Sequence, residues 1–100
     1  MLDVEKALKE LQEKSMADIE RATALTWGAR AVASYRLAKE SKSAIARFQH
    51  FYEAENYRQE ALEHAAMAED GGDLLRLLYD EIEQVRAEVL KAERELSRRT

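Results

Sequence analysis

Apolar residues in the last quarter of the chain recur at alternating steps of three and four. Such spacing places them along one side of an α-helix, and charged residues occupy both flanks. The pattern predicts a long helix, which needs another helix to cover its apolar face. We call this face the C-terminal seam, and it consists of Leu75, Leu78, Ile82, Val85, Val89, Ala92 and Leu96.

The segment EDGGDLL, residues 69–75, predicts the end of one helix and the start of the next. Gly71 and Gly72 suit the left-handed backbone conformation in which many helices terminate. Asp73 can accept hydrogen bonds from the free amide groups at the start of the following helix, so it is the predicted N-cap.

A middle helix is predicted to start at the segment ESKSA, where Ser41 or Ser43 can cap it. Glu55 and Arg58 interrupt the apolar stripe of this helix. Two explanations remain open: the two charged side chains are paired where they lie, or the helix bends near the segment AENY.

Residues 3–39 carry a third apolar stripe, which one helix of roughly 55 Å would accommodate. That length exceeds the length of the other predicted helices, so a break is expected at the segment SMAD. Ser15 can cap a new helix there, with Asp18 three residues later; one helix and two helices both remain open. The stripe consists of Val4, Leu8, Leu11, Ile19, Ala22, Leu25, Ala29 and Val32.

The composition supports an all-α fold. The chain has 100 residues, no proline and three glycines, while 46% of its residues are apolar. Residues that break helices are therefore almost absent, and residues that favour helices dominate. We expect one domain over residues 1–100, an antiparallel helical bundle of three to five helices.

Charge and cysteine content exclude several classes of protein. The net charge of −4 argues against a protein whose whole surface binds nucleic acid. The N-terminal segment MLDVEKALKELQEK lacks the continuous apolar core of an export signal or a membrane span, so we expect a soluble cytoplasmic protein. The absence of cysteine excludes disulfides, thiol catalysis and thiolate metal ligands.

Both histidines of the chain lie in the segment HFYEAENYRQEALEH. On a helix this spacing aligns polar and aromatic side chains, which indicates either a partly buried polar face or a metal site. In a ferritin-like site for iron or manganese, Glu53, Glu60 and His64 would be the ligands, and Glu20 could supply a carboxylate from the first helix. The aligned residues are His50, Glu53, Tyr57, Glu60 and His64.

The segment ADIERATALTWGARAVASYRLA, residues 17–38, resembles the helix pair of PaREP1-type proteins in the HEPN superfamily. The segment HFYE is similar to an aromatic stretch that follows later in such proteins. The resemblance covers about a third of the chain, and it implies a helical bundle that dimerises. The matching residues are Asp18, Ala22, Trp27, Gly28, Ala29, Ala31, Leu37 and Ala38.

Some HEPN proteins are metal-independent ribonucleases that use an arginine and a later histidine with four to six residues between them. By this resemblance Arg58 and His64, with five residues between them, are the candidate catalytic pair. A histidine can transfer the proton of the 2′-hydroxyl or of the leaving group, and an arginine can stabilise the phosphate. Gln59 departs from the family pattern, which usually has Asn, Asp or His after the arginine. A helix also places Arg58 and His64 roughly 120° apart.

The third hypothesis is an interaction module without chemistry of its own. The C-terminal seam is regular enough to close a dimer or to bind a protein partner as well as to pack within the chain. We therefore expect a homodimer that acts by binding, with a HEPN-like ribonuclease, or a relic of one, and a metal-binding protein as alternatives. RNA would be a partner only under the ribonuclease alternative. The predicted interface residues are Leu75, Leu78, Ile82, Val85, Val89 and Leu96.

Overall fold

The computed structural model describes residues 4–70 and 72–99, apart from the side chains of residues 14, 15 and 17. The described chain forms three helices and no strand: α1, Val4–Glu40; α2, Ala44–Met67; and α3, Asp73–Arg99. Ion pairs along their length show that α2 runs antiparallel to both neighbours. The predicted all-α bundle is confirmed, with the smallest number of helices expected.

The break predicted at residues 15–18 does not occur. α1 continues through this segment as one helix of 37 residues. No glycine or proline precedes Gly28 in α1, so nothing there offers the backbone an alternative that competes with the helix. A serine with an acid three residues later favours a helix start only where the preceding helix already ends.

The turn between α1 and α2 follows the sequence prediction. Ser43 has an extended backbone and is the N-cap of α2, with its Oγ accepting a hydrogen bond from the amide of Ala46 at 3.3 Å. Ser41 serves the other helix, because its hydroxyl donates to the carbonyl of Leu37 at the end of α1. The two serines thus divide the two helix ends between them.

The turn between α2 and α3 requires one correction. Gly72 has a φ of 86°, the left-handed conformation that was predicted, and Gly71 lies outside the described residues. Asp73 is the first residue of α3 and not its cap. The capping carboxylate is that of Asp70, which accepts from the amides of Gly72 at 3.2 Å and Leu74 at 3.0 Å. An aspartate before the turn reaches these amides because the left-handed glycine folds the chain back.

α2 is continuous from Ala44 to Met67, so the bend considered at AENY is absent. The other explanation holds: Glu55 and Arg58 both pair with residues of α3. Charged side chains are tolerated on a packed face when each has an ionic partner there.

The core is built largely from small residues. Alanines of α1 and α2 face one another, and larger side chains enter from α3 and from Tyr35. At Gly28 a Cβ would lie 2.9 Å from Leu78 Cδ2, so the glycine allows α3 to pack closely against α1. The buried apolar residues are Ala24, Ala31, Tyr35, Ala38, Ala54, Ala61, Ala65, Leu74, Leu78, Ile82 and Val89.

The three helices are staggered, which gives the molecule dimensions of 74 × 20 × 13 Å. Arg21 of α1 lies 3.9 Å from Asp70, so the turn between α2 and α3 is level with that part of α1. The residues of α1 before Glu20 therefore extend beyond the bundle as a single helix. At the opposite end Arg47 pairs with Glu93, and the last turns of α3 extend beyond the start of α2.

Candidate functional site

A polar cluster lies where the three helices meet. The hydroxyl of Tyr35 on α1 donates to Glu55 Oε1 on α2 at 2.6 Å, and Arg86 Nε on α3 donates to the same oxygen at 2.6 Å. A second ion pair, between Arg58 and Glu83, lies beside the first, with Arg58 Nη2 2.7 Å from Glu83 Oε1. Arg86 Nη1 is 3.8 Å from Glu83 Oε2, which joins the two pairs into one network.

The pKa of each titratable group at the centre of this cluster is shifted in the direction that favours the charge state in which its hydrogen bonds form. Burial, together with the hydrogen bond to Glu55, raises the pKa of Tyr35. Burial alone would raise the pKa of Glu55, but the hydrogen bonds from Tyr35 and Arg86 outweigh it and lower that pKa. The hydrogen bond to Glu55 raises the pKa of Arg86. The cluster therefore holds a neutral tyrosine, a carboxylate and a guanidinium.

An open depression of about 460 Å³ lies beside the cluster, lined by Glu55, Arg58 and Leu62 among others. The Arg58 guanidinium is held by the Glu83 carboxylate and lies 5.8 Å from the centre of the Tyr79 ring. An anion at this place would have to compete with Glu83 for the arginine. The arrangement is that of a structural network, which connects three helices.

His64 lies between two carboxylates. Its Nδ1 contacts Glu20 of α1, and its Nε2 lies 3.7 Å from Glu60, one turn earlier on α2. The predicted approach of Glu20 is thus observed. The two acids approach opposite nitrogens of the imidazole ring, so they cannot converge on one ion that His64 also binds.

The third predicted metal ligand, Glu53, lies elsewhere. It is 3.6 Å from His50 Nδ1, a buried nitrogen that has no hydrogen-bond partner among the described residues. Within the described part of the chain no three His, Cys, Asp or Glu side chains are placed to hold a metal ion. The line of five residues is therefore divided: His50 and His64 each face a separate acid, and Tyr57 packs against Trp27 with ring centres 5.4 Å apart.

The candidate catalytic pair is not brought together within one chain. Arg58 binds Glu83 of α3, whereas His64 binds Glu20 of α1. The two side chains thus contact different helices, as their angular separation on α2 requires. A shared ribonuclease site would need residues of a second copy.

The C-terminal seam is mostly used for packing inside the chain. Leu78, Ile82 and Val89 are buried, and Leu75 and Val85 are partly buried against the same core. Only Leu96, at the predicted interface position nearest the end of α3, is exposed. The seam therefore does not supply the free apolar face on which the predicted interface depended.

A free apolar face exists on α1 instead, and the sequence prediction did not identify it as such. Residues two positions apart are separated by about 200° around a helix. Ala22 and Ala29 thus point away from the core that their neighbours Ala24 and Ala31 enter. We call this face the outer stripe. Its members and the exposed fractions of the larger ones are Val4 (63%), Leu8 (57%), Leu11 (61%), Ile19 (62%), Ala22, Leu25 (44%) and Ala29.

α2 carries a second uncovered surface, the α2 patch, which consists of Ile45, Phe48 and Tyr52. The rings of Phe48 and Tyr52 are stacked with their centres 6.5 Å apart. Beside them Phe51 and Leu90 line a cavity of about 300 Å³ between α2 and α3. This patch is shorter than the outer stripe and covers only the first turns of α2.

Comparisons with family models, with curated proteins and with solved structures find no match for this chain. The fold defines the class of protein, an all-α protein of three antiparallel helices. No helix in residues 4–70 and 72–99 combines the length and apolar content that crossing a membrane requires.

Proposed function

We propose that this chain is a self-associating helical protein that acts as a binding module, and that its unit in solution is a homodimer. The observation that carries the proposal is the outer stripe, an apolar face that no other part of the described chain covers. Exposed apolar surfaces of this extent are typical of interaction sites.

The extension of α1 beyond the bundle strengthens the proposal. Residues 4–19 form four turns of helix, and no other helix of the described chain lies beside them. Isolated helices of about 12–15 residues are marginally stable in water, because their stability in proteins comes mainly from packing. A second copy that covers Leu8, Leu11 and Ile19 would provide that packing.

Burial of the outer stripe would contribute enough free energy to stabilise a dimer. Full burial of an aliphatic side chain contributes about 1.5–3 kcal/mol. Because Leu8 and Leu11 are each more than half exposed, covering either one would contribute roughly 1 kcal/mol per chain. In a two-fold dimer every such contribution occurs twice.

Sedimentation over a range of micromolar concentrations tests the proposal. We expect the wild-type chain to be a dimer and the variant Leu8→Glu/Leu11→Glu to be a monomer that keeps the helix content of the bundle and loses no more than that of residues 4–19. The matched control is Ile45→Glu/Phe48→Glu, which adds the same two charges at apolar residues of the α2 patch that are at least as exposed, and it should leave the dimer intact. A monomeric wild type, or a dimer that only the control dissociates, would refute the proposal.

The two chemical hypotheses have weaker geometric support. Arg58 and His64 are each bound to a carboxylate of a different helix, so ribonuclease activity would need a second copy to complete the site. A site for iron or manganese on Glu53, Glu60 and His64 would need Glu53 to leave His50 and cross to His64. Neither rearrangement is needed for binding through the outer stripe.

A further inference from the structure

We infer that the two copies pair through their outer stripes in antiparallel orientation, with Leu8 of one chain against the partner's Leu25. This inference rests on the proposed self-association and specifies its geometry. The two-fold axis crosses α1 between residues 16 and 17. The adjacent layers then bring Val4 against the partner's Ala29 and Leu11 against the partner's Ala22.

The sizes of the side chains favour this orientation. The N-terminal half of the outer stripe holds only large residues, Val4, Leu8 and Leu11, whereas the C-terminal half holds Ala22 and Ala29 together with Ile19 and Leu25. Antiparallel pairing puts large residues opposite small ones in two of the three layers, so the helices can keep an even separation. Parallel pairing would put leucines together at one end and alanines together at the other, which separates the helices unevenly.

The charge at the centre of the stripe favours the same orientation. Asp18 is exposed and lies on the line of the outer stripe, 14 residues after Val4. In a parallel pair it would face its own copy directly, and like charges in that position repel. Antiparallel pairing places the two Asp18 residues on opposite sides of the two-fold axis. They are then about 4.5 Å apart along the helix direction, at a rise of 1.5 Å per residue.

The charges beside the outer stripe also bear on the orientation of the two helices. In the antiparallel register Glu5 lies on the same side as the partner's Arg30, within about two residues of helical rise. On the other flank Arg21 lies 3.9 Å from Asp70 of its own chain, so that flank is assigned no pair. Opposite charges on the flanks of paired helices select orientation more than they add affinity.

The chain's own fold leaves room for this arrangement. Ala24, Ala31 and Tyr35 direct the opposite side of α1 into the core, so α2 and α3 lie away from the outer stripe. The partner's α1 can therefore lie along residues 4–29 without displacing any helix. Each N-terminal extension would then rest on the partner's bundle, where Ala22 and Ala29 are exposed.

Disulfide crosslinking can test the register directly, because the chain contains no cysteine. We expect a mixture of Leu8→Cys and Leu25→Cys chains to form a mixed disulfide at least ten times faster than either variant forms one with itself. Cα atoms that face each other across a close helix pair lie within reach of a disulfide. The variants Leu11→Cys and Ala22→Cys repeat the measurement at the next layer, and Phe48→Cys measures random collision.

Each result has a separate meaning. Fast self-crosslinking of Leu8→Cys would overturn the antiparallel register but leave the proposed dimer in place. Crosslinking of Phe48→Cys faster than either mixture would overturn it in favour of the α2 patch. Wild-type chains that sediment as monomers would overturn both this inference and the proposed function. Sedimentation of each cysteine variant under reducing conditions shows whether its substitution preserves the dimer. If Leu8→Cys or Leu25→Cys does not preserve it, crosslinking between Leu11→Cys and Ala22→Cys tests the register instead.

Discussion

Replacing Glu55 with alanine would remove the acceptor that joins all three helices. One oxygen of Glu55 accepts from the Tyr35 hydroxyl and from Arg86, both at 2.6 Å. Arg86 keeps a second carboxylate, because Glu83 lies 3.8 Å from it. Tyr35 keeps nothing comparable, since its side chain is fully buried and donates only to Glu55 among the hydrogen bonds observed.

The expected cost follows from these contacts. A hydrogen bond to a charged group contributes about 1.5–3 kcal/mol, and a buried hydroxyl left without a partner costs about 1–3 kcal/mol. Glu55 and Arg86 are about one-third exposed, which moves the estimate toward the lower end. We therefore expect Glu55→Ala to lower the free energy of unfolding by about 3 kcal/mol. Tyr35→Phe, which removes the hydroxyl instead, should cost about 1 kcal/mol.

The double variant distinguishes a network from separate contacts. Once Tyr35 is phenylalanine, removing Glu55 no longer leaves a buried hydroxyl unpaired, so the two costs should overlap by about 1–2 kcal/mol. Urea unfolding at one fixed protein concentration measures all four chains, because the stability of a dimer depends on concentration.

A matched control measures how much an exposed ion pair contributes to the free energy of unfolding. Glu88 lies 3.6 Å from Lys39, and both side chains are about half exposed, so Glu88→Ala should cost no more than about 0.5 kcal/mol. If Glu55→Ala costs as little as this control, or if the double variant is additive, the cluster is a solvent-screened surface contact and not a structural network.

Three further predictions use the same unfolding assay. The lowered pKa of Glu55 means that its contribution is present above the usual value of 4.5 and is lost as the pH falls through the folded value. The raised pKa of Tyr35 means that its contribution is complete below pH 10 and is lost as the pH rises further; urea midpoints across both ranges check these signs. Gly28→Ala should cost about 1 kcal/mol despite a better helix propensity, because its Cβ would meet Leu78, and it should stabilise the protein in a Leu78→Ala background. His64→Ala should cost about 1 kcal/mol and leave the dimer intact; RNA cleavage that is present in the wild type and lost in this variant would instead support the ribonuclease hypothesis.

Helix ends were predictable where local chemistry determines them. Ser43 caps α2 and Gly72 adopts a left-handed turn, because hydroxyl capping and positive φ depend on a few neighbouring residues. One error arose where several residues of one type compete. The capping carboxylate of α3 belongs to Asp70 and not to Asp73. The segment around Ser15 has the composition of a helix start but lies inside a longer helix.

Contacts between helices were predictable only in part. The positions of Glu55 and Arg58 within an apolar stripe indicated that they need partners, and the expected carboxylate of Glu20 does lie against His64. The roles of Tyr35 and Arg86 were missed. Each lies at a position where periodicity permits either burial or exposure, so only the packing of three helices identifies them as one cluster.

The outer stripe shows why hydrophobic periodicity alone does not distinguish the two apolar faces of α1. Periodicity gives most weight to large aliphatic residues, and in α1 these lie at Val4, Leu8 and Leu11, on the exposed side. The side that packs within the chain consists of Tyr35 and, for the most part, of alanine and Gly28, which allow close approach of α2 and α3 but contribute little to an apolar pattern. A helix that is apolar on two opposite sides is expected to be covered on both. In the proposed dimer each α1 lies between its own two helices and the partner's α1, which covers the second side and accounts for its extension beyond the bundle.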